Sequence, residues 1–376
     1  MKFVVSSTEL LSHLMVVSRV ISSKNTLPIL DNFLFKLKGN ELEITASDLE
    51  TTLVTKLSLE NVTEGGEIAI PYKILVDTLK EFSEQPLTFD INADTYAIVV
   101  NSENGHFNIV GQPADDFPAR AEIKAEKKVG VKFPADALLT GITKTIFATA
   151  DDELRPVMNG ILLECSPEHI TFVASDAHKL VRYRRMDVRS DETASFILPK
   201  KPASLLKNVL AKETGSVAVD FDDKNAIFTM ANYTMICRLV EGTYPNYNSV
   251  IPSDNPNKVV ADRLDVYNSL RRVANFANQA SNLIKLSLTG NQLVVSAQDL
   301  DFSISAQERL TCQYEGDDME IGFKSVFLIE ILANIPSSDV VLSLSDPSRA
   351  GLIFPMGTEN ADEDILMLLM PMMIGS

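Results

Sequence analysis

Only three of the 376 residues are cysteine, Cys165, Cys237 and Cys312, and no two of them stand at a metal-ligand spacing. An odd, scattered set gives neither a disulfide framework nor a zinc site. With no secretory leader pattern before Leu10, it points to a reducing, cytoplasmic location. Membrane-length apolar runs are missing too. The stretch Ile365 to Ile374 is too short to span a bilayer and is broken by Pro371, so it reads as a final strand and tail. The phosphate loop G-x-x-x-x-G-K-[ST], the dinucleotide motif G-x-G-x-x-G after a strand, H-E-x-x-H and C-x-x-C are all lacking, and no cofactor or metal is expected. Positive charge is scarce: 34 Lys and Arg face 51 Asp and Glu, a net charge of −17. That balance ordinarily counts against a nucleic-acid partner, whose phosphates need basic contacts.

What is present is a pattern that reads three times, opening at Met1, near Gly130 and near Asn257. Leu138-Leu139 follows Leu10-Leu11 by 128 positions (138 − 10), and the same offset carries Ala46-Ser47-Asp48 to Ala174-Ser175-Asp176 and Ile70-Pro71 to Leu198-Pro199. In the third copy Ala297-Gln298-Asp299 and Gly322-Phe323 hold the corresponding places. Shared spacing with diverged side chains is the mark of a repeated architecture.

Each copy starts with a strand-like stub and an amphipathic helix, with Leu10, Leu14, Val17 and Ile21 in the first and Leu138, Ile142 and Thr145-Ile146 in the second. Short apolar and β-branched runs separated by Gly, Asn or Asp follow, such as Phe33 to Leu37, Leu42 to Thr45 and Leu53 to Leu57, and read as antiparallel hairpins. A second helix carries Ile74, Leu75, Leu79 and Phe82, echoed by Leu205, Leu206, Val209 and Leu210 and by Val326, Ile329, Ile331 and Leu332. More strands close the copy: Leu87 to Ile91, Tyr96 to Val100 and His106 to Val110 in the first. The expected fold is α+β, three tandem like-folded domains of two helices on antiparallel sheets, at 1–125, 126–254 and 255–376, and the 45% apolar content can supply a core to each.

Charge is unevenly spread. Lys200, Lys201, Lys207 and Lys212 fall on or beside the second helix of the middle copy with no acid until Glu213, and Arg271 and Arg272 lie on the first helix of the third. Acids crowd at Asp115-Asp116, Asp151 to Glu153, Asp317 to Glu320 and Glu359 to Asp364. An acidic exterior with a milder inner face repels duplex everywhere except where it is wanted. A charged helix face is also the ordinary solvated face of a surface helix. Within Ser175-Asp176-Ala177-His178, Asp176 and His178 could orient one another for general-base work, but no nucleophile accompanies them. The matching Ser47-Asp48-Leu49 makes the Asp more simply a turn residue bonding its own backbone.

Further segments carry a resemblance: Thr26-Leu27-Pro28-Ile29-Leu30, Ala46-Ser47-Asp48-Leu49-Glu50, Asn159-Gly160, Ala174 to Leu180, Val240 to Tyr247, Met319 to Phe323 and Met370-Pro371-Met372. In order and spacing, from Met1 to the C-terminus, they resemble the beta subunit of bacterial DNA polymerase III, the sliding clamp. The resemblance implies a processivity factor, not an enzyme, in which two subunits join head to tail and enclose double-stranded DNA with helices inside and sheets outside. It makes Lys24, Lys73, Lys80, Lys144, Lys200, Lys201, Lys207, Arg271, Arg272 and Lys324 candidates for sequence-blind phosphate contact. It places a pocket for peptides of the replicative polymerase alpha subunit, the clamp loader and repair proteins between domains two and three. Carried over residue by residue, that pocket comprises Arg155, Val157, Met158, Ser175, Ala177, His178, Lys179, Leu180, Pro245, Ser249, Val250, Leu368, Leu369, Met370, Pro371, Met372 and Met373. Three positions depart from the family's pattern: Val157 stands for an aromatic, Lys179 for Arg and Ser249 for Arg, which leaves the preferred peptide open. The homodimer contact falls on Phe107 and Ile109 in domain one and on Asn275 and Phe276 in domain three. Two other readings stand beside it, an enzyme centred on Asp176 and His178 and a scaffold that binds peptides but no DNA.

Overall fold

The computed structural model describes every residue except Thr26, Ala125, Lys127, Thr358, Glu359, Gly375 and Ser376. Thr26, Glu359 and the Gly375-Ser376 end of the tail therefore lie outside the described residues. Six α-helices are found among the described ones: α1 Ser7–Val17, α2 Tyr72–Lys80, α3 Ala135–Thr145, α4 Lys200–Leu210, α5 Arg263–Val273 and α6 Ser325–Ala333. They come in pairs, two for each third of the chain, as the period of the apolar residues predicts.

Local chemistry starts and aims these helices. The Ser6 hydroxyl accepts the Glu9 amide at 3.2 Å ahead of α1, and the Asp262 carboxylate accepts the Asp265 amide at 2.8 Å ahead of α5. Leu10 and Leu14 of α1 are fully buried, each contributing about 1.5–3 kcal/mol of apolar transfer energy. Leu205, Leu206, Val209 and Leu210 are likewise buried on α4. Two assignments need correction: Ile74 and Val326 face solvent at 52% and 46% exposure, because the buried stripes run through Leu75, Val76 and Leu79 on α2 and through Leu328, Ile331 and Leu332 on α6. Phe82 lies beyond the end of α2 and meets the Phe107 ring edge-on at 5.3 Å.

By compactness the chain divides into two units, Met1–Leu139 with Ser204–Leu239, and Thr140–Ala203 with Val240–Ser376. The first contains an eight-stranded antiparallel sheet in which Tyr233–Arg238 pairs with Thr51–Ser58, Tyr233 opposite Thr55 and Cys237 opposite Thr51. A strand of the middle copy thus extends the sheet of the first. A five-stranded sheet in the same unit ends on His106–Val110, paired on one side only. In the second unit a nine-stranded sheet is continuous through the pairing of Lys179–Arg185 with Glu363–Leu369, Leu180 opposite Leu368. A four-stranded sheet ends on Ile304–Thr311. The sheets run through the repeat boundaries, so the compact units do not coincide with the three sequence copies.

Candidate peptide pocket

In the second unit the strand pairing of Leu180 with Leu368 brings the end of the middle copy's hairpin beside the last strand of the chain. Beyond that strand the Met370 amide donates to the His178 carbonyl at 2.8 Å, and the Met372 amide to the Gly322 carbonyl at 2.8 Å, which ties the tail to two copies at once. The hairpin turn is held by its own side chains. Ser175 Oγ donates to the Lys179 carbonyl at 2.9 Å, and Asp176 Oδ1 accepts the amides of His178 and Lys179 at 2.9 and 2.8 Å. Ala177 is thereby held at a φ of 74°, in the left-handed region.

Between turn, tail and the connecting segment after Val240 lies a cavity of about 230 Å³. It is lined by Met158, Ser175, Ala177, Lys179, Leu180, Tyr244, Pro245, Asn246, Tyr247, Val250, Leu368 and Met370. Nine of these are sequence-stated pocket residues, gathered from four separated segments. Tyr244, Asn246 and Tyr247 are additions: their segment marked the resemblance, but no periodicity in it shows which side chains turn inward. Tyr247 is fixed by its hydroxyl, which donates to Glu164 Oε2 at 2.6 Å; burial, with that carboxylate, pushes its phenol up to about 12. The connecting segment passes close by because residue 242 is glycine: its φ is +128° and a Cβ there would stand 2.9 Å from Val157 Cγ1.

The remaining predicted residues lie around the cavity without lining it. Leu369 points to the opposite face of its strand from Leu368, since strand side chains alternate, and is fully buried there. Val157 packs against the adjoining core, the exposed Ser249 hydroxyl donates to the Asn246 carbonyl at 2.7 Å, and Pro371, Met372 and the 80% exposed Met373 continue along the tail. Arg155 and His178 instead line a wider polar depression of about 680 Å³, which shares Lys179 with the cavity.

Lys179 is the hinge between the two. Its side chain is only 5% exposed, with Nζ 2.7 Å from Asp176 Oδ2, 3.1 Å from Glu330 Oε2 and 4.5 Å from the centre of the Phe327 ring. A buried ammonium is tolerable because two carboxylates and an aromatic face meet it. The His178 ring stacks on the other part of that surface, 5.6 Å from Phe327. Both oxygens of Asp176 are thus engaged, Oδ1 by two backbone amides and Oδ2 by Lys179. The carboxylate is a turn and ion-pair residue, and no bond joins it to the His178 ring among the described residues.

The basic residues occupy the expected helices. Lys73 and Lys80 are on α2, Lys144 in the last turn of α3, Lys200, Lys201 and Lys207 on α4, Arg271 and Arg272 in the last turn of α5, Lys324 just before α6, and the exposed Lys24 in a loop. Several are already engaged: Lys80 with Asp77 at 3.4 Å, Lys200 with Asp151 at 2.7 Å, and Arg272 with Glu308 through two bonds of 2.6 Å. Lys324 and Arg271 lie over the rings of Phe327 and Tyr267, at 5.1 and 5.6 Å. Exposed pairs of this kind are weak and screened by salt, so a phosphate can exchange for the carboxylate.

Tandem like-folded domains whose sheets continue from one copy to the next, with an apolar cavity where the second meets the third, define a protein of the sliding-clamp class. Models of the DNA polymerase III beta subunit match in chain order, the N-terminal domain over residues 1–121, the central domain over 132–246 and the C-terminal domain over 248–373. The chain belongs to the DNA polymerase III beta subunit family. It is 30% identical over 373 residues to a beta sliding clamp of Pseudomonas putida, covering 99% of this chain and 100% of that one. It is 29% identical to a beta sliding clamp of Synechocystis, over 95% of this chain and 96% of the other. A crystal structure of a DNA polymerase III subunit beta sliding clamp from Pseudomonas aeruginosa, bound to griselimycin, matches with a TM-score of 0.93 at 28% identity and 100% coverage of both chains.

Proposed function

We propose that the protein is a DNA sliding clamp that encircles duplex DNA as a head-to-tail homodimer and tethers the replicative polymerase alpha subunit, the clamp loader and repair proteins by short peptides. The cavity at Met158, Leu180, Val250 and Met370 carries the tethering part of this reading: a methionine-rich apolar recess of about 230 Å³ accepts a side chain or two and can repack around different ones. The carboxylate-paired cations of α4 and α5 suit contacts that position DNA without reading it, and the protein acts as a non-catalytic processivity factor in the cytoplasm. No helix among the described residues is long and apolar enough to cross a membrane. The three domains are assigned to 1–125, 126–254 and 255–376.

The dimer contact is assigned to Phe107 and Ile109 and to Asn275 and Phe276. Phe107 is 37% exposed on the edge strand His106–Val110, which is paired on one side only, and Phe276 is 39% exposed at the end of the short helix Ala274–Phe276. Covering an apolar edge removes an aggregation hazard. The test is retention on DNA. Loaded protein should stay on a closed circle and leave when that circle is linearised, and reversing Lys200, Lys201 and Lys207 to Glu should cut loading about tenfold at low salt. Equal retention on linear and circular DNA, or loading unmoved by the triple reversal, overturns the reading, as does a strict monomer at micromolar concentration.

A further inference from the structure

Two joints inside the chain follow one rule. At each, the strand after an Asp turn pairs with the last strand of the next copy: Thr51–Ser58 with Tyr233–Arg238, and Lys179–Arg185 with Glu363–Leu369. The turns are built alike, Asp48 Oδ1 accepting the amides of Glu50 and Thr51 as Asp176 Oδ1 accepts those of His178 and Lys179. Register repeats too. Thr51 stands opposite Cys237 and Lys179 opposite Leu369, and the carbonyl before each, of Glu50 or His178, accepts the amide of Arg238 or Met370 at 2.8 Å. At the second joint the turn also rests on a helix of the next copy. His178 stacks on Phe327, the third residue of α6, at 5.6 Å, and the Lys179 ammonium lies over the same ring at 4.5 Å.

In the third copy the equivalent strand, Ile304–Thr311, is an edge, and so is the last strand of the first copy, His106–Val110. Counting fixes how these two edges match. In each copy the chain leaves its last strand to bond the strand ahead of the second helix, through the amides of Gln112, Val240 and Met372 to the carbonyls of Ala69, Ile197 and Gly322. Three residues before those amides stand Ile109, Cys237 and Leu369, so Ile109 is the counterpart of the residues that face Thr51 and Lys179. Ile304 is first in its strand, as Thr51 and Lys179 are in theirs. The same rule sets Ile304 opposite Ile109 of a second copy, Ser305 opposite Asn108 and Ala306 opposite Phe107. Alternation then groups Ile304 and Ala306 with Ile109 and Phe107 on one face, and the small Ala306 leaves room for the ring.

Apolar groups stand bare on both sides of that match. The turn of the third copy, 299–303, is two residues longer than the others and holds Leu300 and Phe302 79% and 72% exposed. Its own bonds fix that display: the Asp301 amide donates to Asp299 Oδ1 at 3.0 Å and the Ser303 amide to the Leu300 carbonyl at 3.3 Å. On α2, Ile74 is the third residue, as Phe327 is on α6; Phe327 lies under His178 and Lys179, whereas Ile74 is half exposed. Val110, the counterpart of Met370, is 70% exposed.

We propose that the turn at 299–303 docks on α2 of a second copy, Phe302 and Leu300 covering Ile74 and Val110, as an apolar contact beyond that of Phe107, Ile109, Asn275 and Phe276. The occupant is a copy of this chain because both halves of the contact are its own and continue the strand pairing of the two internal joints. The inference rests on the homodimer reading, and the test separates the two.

Register is read by disulfide trapping in the full chain, whose three native cysteines are buried. Ser305→Cys with Asn108→Cys should oxidise to a covalent dimer, since directly opposite Cα atoms lie about 4.5–5.5 Å apart, while Ser305→Cys with His106→Cys, two residues out of register, should not. The turn contact is read from the dimer dissociation constant by dilution. Phe302→Glu and Ile74→Lys, both exposed positions, should each raise it at least about tenfold. The combined variant places opposite charges at the contact and should bind at least about threefold tighter than either single one, with an affinity that falls as salt is added. Trapping in register with a dissociation constant unmoved by either substitution, or with no recovery in the combined variant, overturns the turn contact and leaves the homodimer. Trapping only through His106→Cys does the same. A strict monomer at micromolar concentration, with neither pair trapped, overturns both.

Discussion

At one position of the repeat the first copy has His13 and the second Gly141, and the two surroundings are filled in opposite ways. In the second copy the Phe172 ring occupies the space a side chain would take: a Cβ on Gly141 would fall 2.5 Å from Phe172 Cε2 and Cζ, with Tyr183 packed 6.1 Å behind. In the first copy the matching strand positions are the smaller Ile44 and Thr55, and the His13 ring reaches down between α1 and the sheet to meet Thr55 Oγ1 at 2.5 Å. Total volume is kept while it is redistributed between helix and strand, which is the condition under which cores tolerate divergence. The same scaffold therefore places a half-buried titratable group in one copy and an aromatic pair in the other.

The sharpest way to break this comparison is Gly141→Ala. Phe172 and Tyr183 are almost wholly buried, so the ring has nowhere to retreat, and we expect a loss of about 2–3 kcal/mol in denaturant unfolding even though alanine favours the helix by about 1 kcal/mol. Adding Phe172→Leu should recover more than half of the loss. If Gly141→Ala stabilises the protein, the exchange of volume between helix and strand is not what holds the second copy together.

A somewhat smaller contrast separates the two copied turns. Where the second has Lys179, the first has Thr51, whose hydroxyl is buried with no hydrogen-bond partner among the described residues. Lys179→Met should cost about 2 kcal/mol, because it strands Asp176 and Glu330, partly exposed though they are, beside an apolar ring. Thr51→Val should be neutral or slightly stabilising by thermal unfolding, since it removes an unpaired polar atom of the same shape. Equal losses at the two positions would mean that the turn's shape, not its charge, sets the energy.

Much of this architecture was readable from residues alone because it is local. The offset of 128 residues places Asp48 and Asp176 on equivalent turns, and in both the carboxylate bonds its own backbone as that spacing implies. Helix periods located the apolar faces except at Ile74 and Val326, where an apolar residue faces water on a short helix already filled on its other side, and at Phe82, which lies beyond the end of α2. What escaped is non-local. The pairing of Tyr233–Arg238 with Thr51–Ser58 joins strands nearly half the chain apart, and nothing in either strand's pattern names its partner. The inward turn of Tyr244 and Tyr247 depends on Gly242 and on a hydrogen bond to Glu164, and the carboxylates that hold Lys200 and Arg272 come from remote segments.

The smallest expected effect is a pH dependence that only the first copy should show. Thr55 Oγ1 gives its one proton to the Asn232 carbonyl at 3.0 Å, so it accepts from His13, and the neutral imidazole carries its proton on Nδ1. Burial beside Thr55 and the Tyr233 ring lowers the His13 pKa from 6.5, and the attraction of Glu9 only partly offsets this. A folded-state pKa below the unfolded one means that folding favours the unprotonated ring. The contribution is therefore complete above pH 6.5 and is lost as pH falls from there towards the lowered value. Between pH 7 and pH 5 we expect wild type to lose more stability than His13→Gln, measured as the difference in unfolding free energy so that other titrating groups cancel. At the Gly141 position nothing can titrate, so grafting the pair Gly141→His and Phe172→Ile, with Tyr183→Thr, should carry the same pH dependence into the second copy. If His13→Gln and wild type instead lose stability in parallel on acidification, the His13 ring is wet enough to protonate in place, and the two copies differ in volume but not in electrostatics.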